Sequence, residues 1–314
     1  MSGEQSDKII ETPSSIAAPH EHFLAQKGAV ANAFPQLLVD DLEGLNTAVA
    51  NFCSYAAEWT LENWPFESIE PSTADVNLDV LKTVFPGGCA IPSMILSRKY
   101  APRPLKDVIN WGLRSIINKA LFEEILDPFH PSLSLRVGGT EGTKRSEHLK
   151  SVFYSILYEE ADVSMLHAKA GMFKSLDRLA RDNPRVSPID DILSALRDGD
   201  KGIMDLLQAV FGDRANRPPI DLDPLRSIIR VAYEWNHVAK SLVPPVDLHP
   251  FVIPNTGSFD AEIMDYHGKP VRSSGKSVII CAGSIGLKLH DRRRPKGRVL
   301  LKVEVLTPQN YGDA

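Results

Sequence analysis

The sequence predicts a mainly helical protein with a small antiparallel β unit near its C-terminus, α+β overall. Over residues 20–243, apolar residues recur at steps of three and four, the spacing of amphipathic helices. After Pro244-Pro245 the apolar residues alternate with polar ones, which is typical of strands. With 314 residues and 43% hydrophobic side chains, the chain can form a substantial core. We therefore expect a helical bundle or a set of orthogonal helices.

The helices are predicted from their apolar stripes and from the prolines and glycines that bound them. The first long helix follows Pro35 and ends at Trp64-Pro65, because the residue before a proline disfavours helical geometry. Its stripe comprises Leu38, Leu42, Leu45, Val49, Phe52, Ala56 and Trp59. Further helices are predicted near residues 76–85, 104–126, 143–181 and 188–198, before Gly212, and over residues 224–242.

A glycine-rich stretch interrupts this helical pattern. Residues 132–137 alternate between polar and apolar and are typical of a short strand. Residues 138–145 then read as a solvated loop leading into the next helix. An anion site using Lys144 and Arg145 is the alternative for this loop, although the spacing of a phosphate-binding loop is absent.

The C-terminal pattern predicts a β-hairpin. One strand runs through the apolar residues from Val278 to Leu289, and its partner contains the alternating residues from Val299 to Val305. Residues 290–297 would connect them, and residues 259–263 suggest a third strand. About 60 residues form a weak core alone, so we expect this unit to pack on the helices. The predicted organisation is a disordered leader (1–18), a helical domain (19–245), the β-hairpin subdomain (246–308) and a tail (309–314).

Composition excludes several classes of protein. The net charge of −5 argues against a basic nucleic-acid coat, and the dispersed Cys53, Cys89 and Cys281 indicate neither a disulfide framework nor a zinc site. Neither an apolar run of membrane-spanning length nor a secretory signal is evident. We expect an intracellular, cytoplasmic protein with no membrane span, no cofactor and no metal.

No motif in the sequence predicts catalytic residues. Ala282-Gly283-Ser284-Ile285-Gly286 resembles the small-residue turn around a nucleophilic serine, but the following residues do not begin a helix. Glu234 and His237 would share one helical face, yet carboxylate-bridged metal sites need this motif twice. The sequence therefore leaves open whether the protein is an enzyme, although the lack of a catalytic motif favours a protein without enzymatic activity.

A basic cluster is the most localised charge feature. Residues 288–298 contain six basic side chains and one acidic one, which gives a local charge of +5. A hairpin tip of this kind can contact an anion or an acidic partner, or can simply keep the hairpin soluble. The candidate contact residues are Lys288, Arg292, Arg293, Arg294, Lys296 and Arg298.

Three functional hypotheses follow from the sequence. The leading one is a non-enzymatic interaction or scaffold protein that uses this hairpin to bind an unknown protein partner. The second is an enzyme or small-ligand binder with a pocket between helices. The third is weak binding of nucleic acid or an anionic surface, which the acidic remainder of the chain disfavours. The candidate pocket residues are Trp111, His130, His167, Tyr233, Glu234 and His237.

Overall fold

A computed structural model of the chain confirms the predicted fold class, mainly α with a small C-terminal β unit. It describes residues 34–63, 76–85, 104–159, 163–181, 188–198, 201–211, 220–241, 247–254, 257–268, 279–291 and 294–307. The predicted leader (1–18), the tail (309–314) and Cys89 lie outside these ranges. Within them, no helix has both the length and the apolarity needed to cross a membrane.

The helical body follows the predicted order, except that two helices, the first beginning at Leu135, take the place of the single helix predicted over residues 143–181. Its α-helices are α1 (Phe34–Asn63), α2 (Leu78–Val84), α3 (Leu105–Leu121), α4 (Leu135–Glu159), α5 (Val163–Arg181), α6 (Pro188–Asp198), α7 (Ile203–Phe211) and α8 (Asp223–Ser241). A π-helix, Phe122–Leu126, continues α3, and a 3-10 helix spans Pro131–Leu133.

Helix α1 organises the core of this body. Most of its predicted apolar stripe is buried, with Leu42 and Val49 fully enclosed. It packs against α3 and α8, and the indole Nε1 of Trp235 in α8 donates a hydrogen bond to the Leu38 carbonyl oxygen at 2.8 Å. Because the buried stripe of α1 packs against α8, it positions the last helix relative to the first.

The predicted strand and loop over residues 132–145 are wrong, because this stretch is helical. Residues 131–133 form the 3-10 helix, and α4 begins at Leu135 and continues through the glycines. Gly139 has the non-helical dihedrals φ 63° and ψ −166°, which glycine tolerates without a Cβ clash, so α4 consists of two helical segments joined by a kink at this residue. The glycine-rich composition therefore marks a kink and not a loop.

The C-terminal strands form two small sheets. Strands β1 (Asp247–Phe251), β4 (Gly286–Asp291) and β5 (Arg294–Leu301) are antiparallel neighbours in that order. Strand β6 (Val303–Leu306) pairs in parallel with β2 (Met264–Tyr266) and antiparallel with β3 (Cys281–Ala282). The antiparallel pairing of the predicted hairpin is confirmed as β4–β5. Each of its two predicted strands is divided, however, since β3 and β6 belong to the second sheet, and the parallel β2–β6 pair corrects the purely antiparallel unit.

Two strand predictions need further correction. Strand β1 was not expected, because Asp-Leu-His-Pro-Phe shows no simple alternation. Residues 261–263 form a turn, in which the amides of Ile263 and Met264 both donate to the Asp260 carbonyl, and the strand starts only at Met264. The β4–β5 connection is also shorter than the predicted residues 290–297, since Asp291 already pairs with Arg294.

The β unit is joined to the helices by apolar and polar contacts. Cys281, Ile285 and Leu287 belong to the same buried cluster as α1 and α3. The amide of Asn46 donates to the Ile285 carbonyl at 2.8 Å and accepts from the Ile285 N–H at 2.9 Å, and Asn118 donates to the Gly283 carbonyl at 3.0 Å. These buried side chains satisfy backbone groups of residues 283–285 that the sheet leaves unpaired.

The Gly283-Ser284-Ile285-Gly286 segment has a structural role, in packing the β unit against α3. A Cβ on Gly283 would lie 2.4 Å from Cζ3 of Trp111, so only glycine permits this approach. The hydroxyl of Ser284 accepts a hydrogen bond from the Glu304 N–H at 2.7 Å, across to β6. Its small residues therefore let the β unit sit against α3.

We expect Gly283→Ala to lower the free energy of unfolding by about 1–3 kcal/mol, because the methyl group overpacks against Trp111. Gly44→Ala is the control: Gly44 lies on the exposed face of α1 with nothing within 4 Å of an added Cβ. That change should stabilise the protein by roughly 0.5–1 kcal/mol through helix propensity. Urea denaturation of both variants measures the difference, and equal stability of the two would contradict the packing assignment.

Candidate functional site

A small pocket lies where the helical body meets strand β1. Its volume is about 150 Å³, and its lining comes from the end of the π-helix and the residues after it, α4, α5, α8 and β1. We call it the lysine pocket. It is lined by Leu126, Asp127, Phe129, Lys150, Phe153, Lys169, Lys240, Leu248, His249 and Pro250.

Two of the three pocket lysines form ion pairs. The Lys150 ammonium lies 2.7 Å from Oδ2 of Asp127, and the Lys169 ammonium lies 2.8 Å from Oδ1 of Asp247. The other oxygen of Asp247 lies 2.7 Å from Nε2 of His249. Burial alone would raise the pKa of Asp247, but His249 and Lys169 outweigh it and hold that pKa well below its usual range. Asp247 is therefore ionised and already partnered.

The third lysine, Lys240, is bound differently. Its Nζ donates to the carbonyl oxygens of Leu126 at 2.7 Å and Pro128 at 2.5 Å. In the part of the chain that the structure describes, no carboxylate lies within ion-pair distance of it. Burial lowers the pKa of Lys240 well below its usual value; Lys169 and Lys150 lower it further, and Asp127 and Asp247 oppose them in part. The neutral amine is correspondingly favoured.

Two aromatic rings form an apolar wall of the pocket. Phe129 and Phe153 are stacked, with ring centroids 5.4 Å apart and planes 12° from parallel. Both side chains are buried, and Leu126 and Leu248 add further apolar lining. The pocket thus combines cationic groups with a surface suited to a short apolar segment.

A second polar group, the Asp177 cluster, lies beside it on α5 and α8. The hydroxyl of Tyr233 donates to Oδ1 of Asp177 at 3.2 Å, and Nδ1 of His237 lies 3.6 Å from its Oδ2. Nε2 of His130 lies 3.9 Å from Oδ1 of Asp177, too far for a hydrogen bond. The Phe173 ring packs against both imidazoles, with centroid distances of 4.8 and 5.7 Å.

His130 caps the 3-10 helix. Its Nδ1 accepts the Ser132 N–H at 3.1 Å and lies 2.8 Å from the Ser132 hydroxyl oxygen. Ser132, His130 and Asp177 are neighbours in that order, as in a catalytic triad. The 3.9 Å between Nε2 of His130 and Oδ1 of Asp177 is too long for a hydrogen bond, so the three side chains form no hydrogen-bonded relay. Ser132 and His130 therefore set the turn that leads from the π-helix into α4.

The structure brings together three of the six pocket residues predicted from sequence. His130, Tyr233 and His237 surround Asp177, which the sequence analysis did not single out. The sequence does contain an indication that Asp177 is buried, because it lies on the same face of α5 as Ala170 and Phe173. All three side chains are buried in the structure. A carboxylate on an apolar stripe needs buried polar partners.

The other three predicted pocket residues lie elsewhere. Trp111 packs against the β unit, with its ring 4.8 Å from the His267 centroid in an edge-on arrangement. His167 is exposed on α5, and Glu234 is partly buried on α8.

The basic cluster is only partly described. Lys288 places its ammonium 4.4 Å from the centre of the Phe251 ring, and Arg298 is exposed on β5. Arg292 and Arg293 lie outside the described residues, as do the side chains of Arg294 and Lys296. Lys144 and Arg145, the residues of the alternative anion site, are exposed on α4 after the kink at Gly139, and Arg145 pairs with Glu141 at 3.3 Å.

Comparison with known protein families, with curated proteins and with solved structures found no match to this chain. Among the described residues, no group of three or more His, Cys, Asp or Glu side chains is placed to hold a metal ion. The chemistry of the site must therefore be argued from its own side chains.

The pH dependence of folding tests the environment of His130. Burial lowers its pKa to about 4; Asp177 opposes this shift, and Lys240 and His237 add to it. In the unfolded chain the pKa returns to about 6.5, so between these values the unfolded state binds more protons. The contribution of His130 to stability is present above about pH 6.5 and is lost as the pH falls towards about 4.

We expect this loss to amount to roughly 2–4 kcal/mol in the wild type and to be absent in His130→Asn. Asparagine can still accept the Ser132 N–H but does not titrate. Urea denaturation of both proteins at about pH 7 and about pH 4.5 measures the difference. The assignment fails if the two proteins lose the same free energy on acidification.

Proposed function

We propose that the protein binds a small organic carboxylate in the lysine pocket. The observation that supports this most directly is the convergence of Lys150 and Lys169 on a cavity that is also lined by the stacked Phe129 and Phe153. Cationic groups beside an apolar wall match a molecule with one carboxylate and a short carbon body.

The two ammonium groups retain donors for a ligand. An ammonium has three N–H groups, and each of these lysines has a single carboxylate partner among the described residues. Their side chains are only 24% and 18% exposed, so water screens them less than surface lysines. Charge-assisted hydrogen bonds to a carboxylate are favoured under these conditions.

The size of the cavity restricts the ligand. A cavity of about 150 Å³ is of the size that binds one benzene molecule. Pockets for drug-sized or nucleotide-sized ligands are larger, about 300–1,000 Å³. The size therefore favours a monocarboxylate of only a few carbon atoms.

This proposal develops the second of the sequence hypotheses, although it rests on other residues. None of the six predicted pocket residues lines the lysine pocket, whose polar lining includes Lys150, Lys169, Lys240 and His249. The predicted residues His130 and His237 lie in the neighbouring Asp177 cluster. The interaction hypothesis depended on the hairpin tip, and its central Arg292 and Arg293 are outside the described residues. The described side chains thus support ligand binding better.

Substitution of the pocket lysines tests the proposal. We expect wild-type protein to bind acetate, propionate or pyruvate in isothermal titration calorimetry, and Lys150→Met to weaken this binding at least about tenfold by removing a charge-assisted hydrogen bond. Lys144→Met is the matched control, because Lys144 is exposed on the same helix, α4. It should leave the affinity unchanged.

A second pair on α5 repeats the comparison. Lys169→Met should weaken binding, whereas Lys174→Met, at an exposed position one turn and a half along α5, should not. Circular dichroism establishes that each variant is folded. Equal affinities for wild type, Lys150→Met and Lys169→Met would contradict the proposal, as would a preference for inorganic phosphate over every monocarboxylate.

A further inference from the structure

We infer that Lys240 is a nucleophilic amine that forms an imine with the carbonyl carbon of a 2-oxo acid held in the lysine pocket. This inference rests on the proposed function, because Lys150 and Lys169 are the groups that would hold the carboxylate of such an acid. It adds a covalent step to the binding proposal and narrows the ligand from a small monocarboxylate to a 2-oxo acid.

The hydrogen bonds of Lys240 match a neutral amine. A neutral amine has two N–H donors and one lone pair, and the carbonyl oxygens of Leu126 and Pro128 accept two hydrogen bonds from Nζ. In this form the lone pair is free to attack a carbonyl carbon, and Lys240 lines the pocket in which the ligand would lie.

The charges around Lys240 also favour its neutral form. Lys169 and Lys150 are cationic neighbours, and the nearby carboxylates of Asp127 and Asp247 are already engaged by those lysines and by His249. His130 and His237, on the other side, share Asp177 with Tyr233. A lysine desolvated beside other cations is activated as a nucleophile at neutral pH.

A 2-oxo acid suits the arrangement of groups around the cavity. Its carboxylate and its carbonyl carbon are directly bonded, so an acid held by Lys150 and Lys169 carries its electrophilic carbon inside the same small cavity that Lys240 lines. Pyruvate, with six non-hydrogen atoms, is compatible with about 150 Å³. Phe129 and Phe153 provide the apolar surface for its methyl group.

The step needs no oxidant or reductant. The lone pair of Lys240 forms a C–N bond to the carbonyl carbon, the C=O π pair moves to oxygen, and a proton passes from nitrogen to oxygen to give a carbinolamine. The second proton of the nitrogen then passes to the hydroxyl group, the C–O bond breaks, and water leaves as the nitrogen lone pair forms the C=N bond. We assign these proton transfers to His249, which lines the same pocket and has its Nε2 2.7 Å from Oδ2 of Asp247.

Reductive trapping tests the inference. Wild-type protein is incubated with pyruvate and sodium cyanoborohydride at about pH 7, and modified lysines are located by peptide mass spectrometry. We expect Lys240 to be modified at least about tenfold more than exposed Lys144 and Lys174, because its amine is neutral and the ligand is held beside it. Acetate, which has no ketone, should compete and protect Lys240.

Lys240→Arg is the variant that separates binding from reaction. Arginine retains donors for the two carbonyl oxygens but does not form the imine, so this variant should gain no adduct at position 240. Protection of wild-type Lys240 by acetate provides a test that does not depend on the folding of any variant.

The outcomes distinguish the two proposals. If pyruvate binds in a manner that depends on Lys150, yet the adduct is spread evenly over the lysines, the imine inference is overturned and the binding proposal stands. If no monocarboxylate binds and Lys240 is not preferentially labelled, both are overturned. Preferential labelling of Lys240 that acetate suppresses supports both.

Discussion

The hydrogen bonds from Lys240 to the carbonyl oxygens of Leu126 and Pro128 join the last helix to the end of the π-helix. Carbonyl groups at a helix C-terminus lack partners within the helix, and a long cationic or amine side chain can supply them. Here the side chain comes from α8, whose other anchor is the hydrogen bond from Trp235 to Leu38 on α1. Strand β1 begins six residues after α8 ends, so both anchors also place Asp247 and His249 at the pocket.

The basic groups next to α8 share three aspartates, one of which, Asp127, pairs with Lys150. Asp177 is shared by His130, His237 and Tyr233, and Asp247 is shared by Lys169 and His249. Burial is the first cause of the lowered pKa of both His130 and Lys240, and the nearby aspartates oppose it only in part. Since a cationic Lys240 lowers the pKa of His130 further, protonation of either group disfavours protonation of the other.

The sequence predicts those parts of the fold that depend on local periodicity. The stripe of α1 and the β4–β5 hairpin follow directly from apolar spacing. Residues 132–145 were assigned wrongly, because a positive φ at Gly139 bends a helix where composition suggests a loop. The sequence could not identify the three pocket lysines, because they lie on three different helices and belong to no motif. A single lysine in an amphipathic helix is typical of the solvent-exposed face. The three residues are Lys150, Lys169 and Lys240. Their role depends on a junction that only the tertiary structure forms.

The protonation state of Lys240 is the most direct test of this account, and nuclear magnetic resonance of protein labelled with ¹³C at lysine Cε measures it. The Lys240 signal is assigned as the one that is lost in Lys240→Arg, and all lysine signals are followed through a pH titration. We expect this signal to titrate well below the usual lysine pKa of about 10.4. Titration of the Lys240 signal at that usual value would contradict the account.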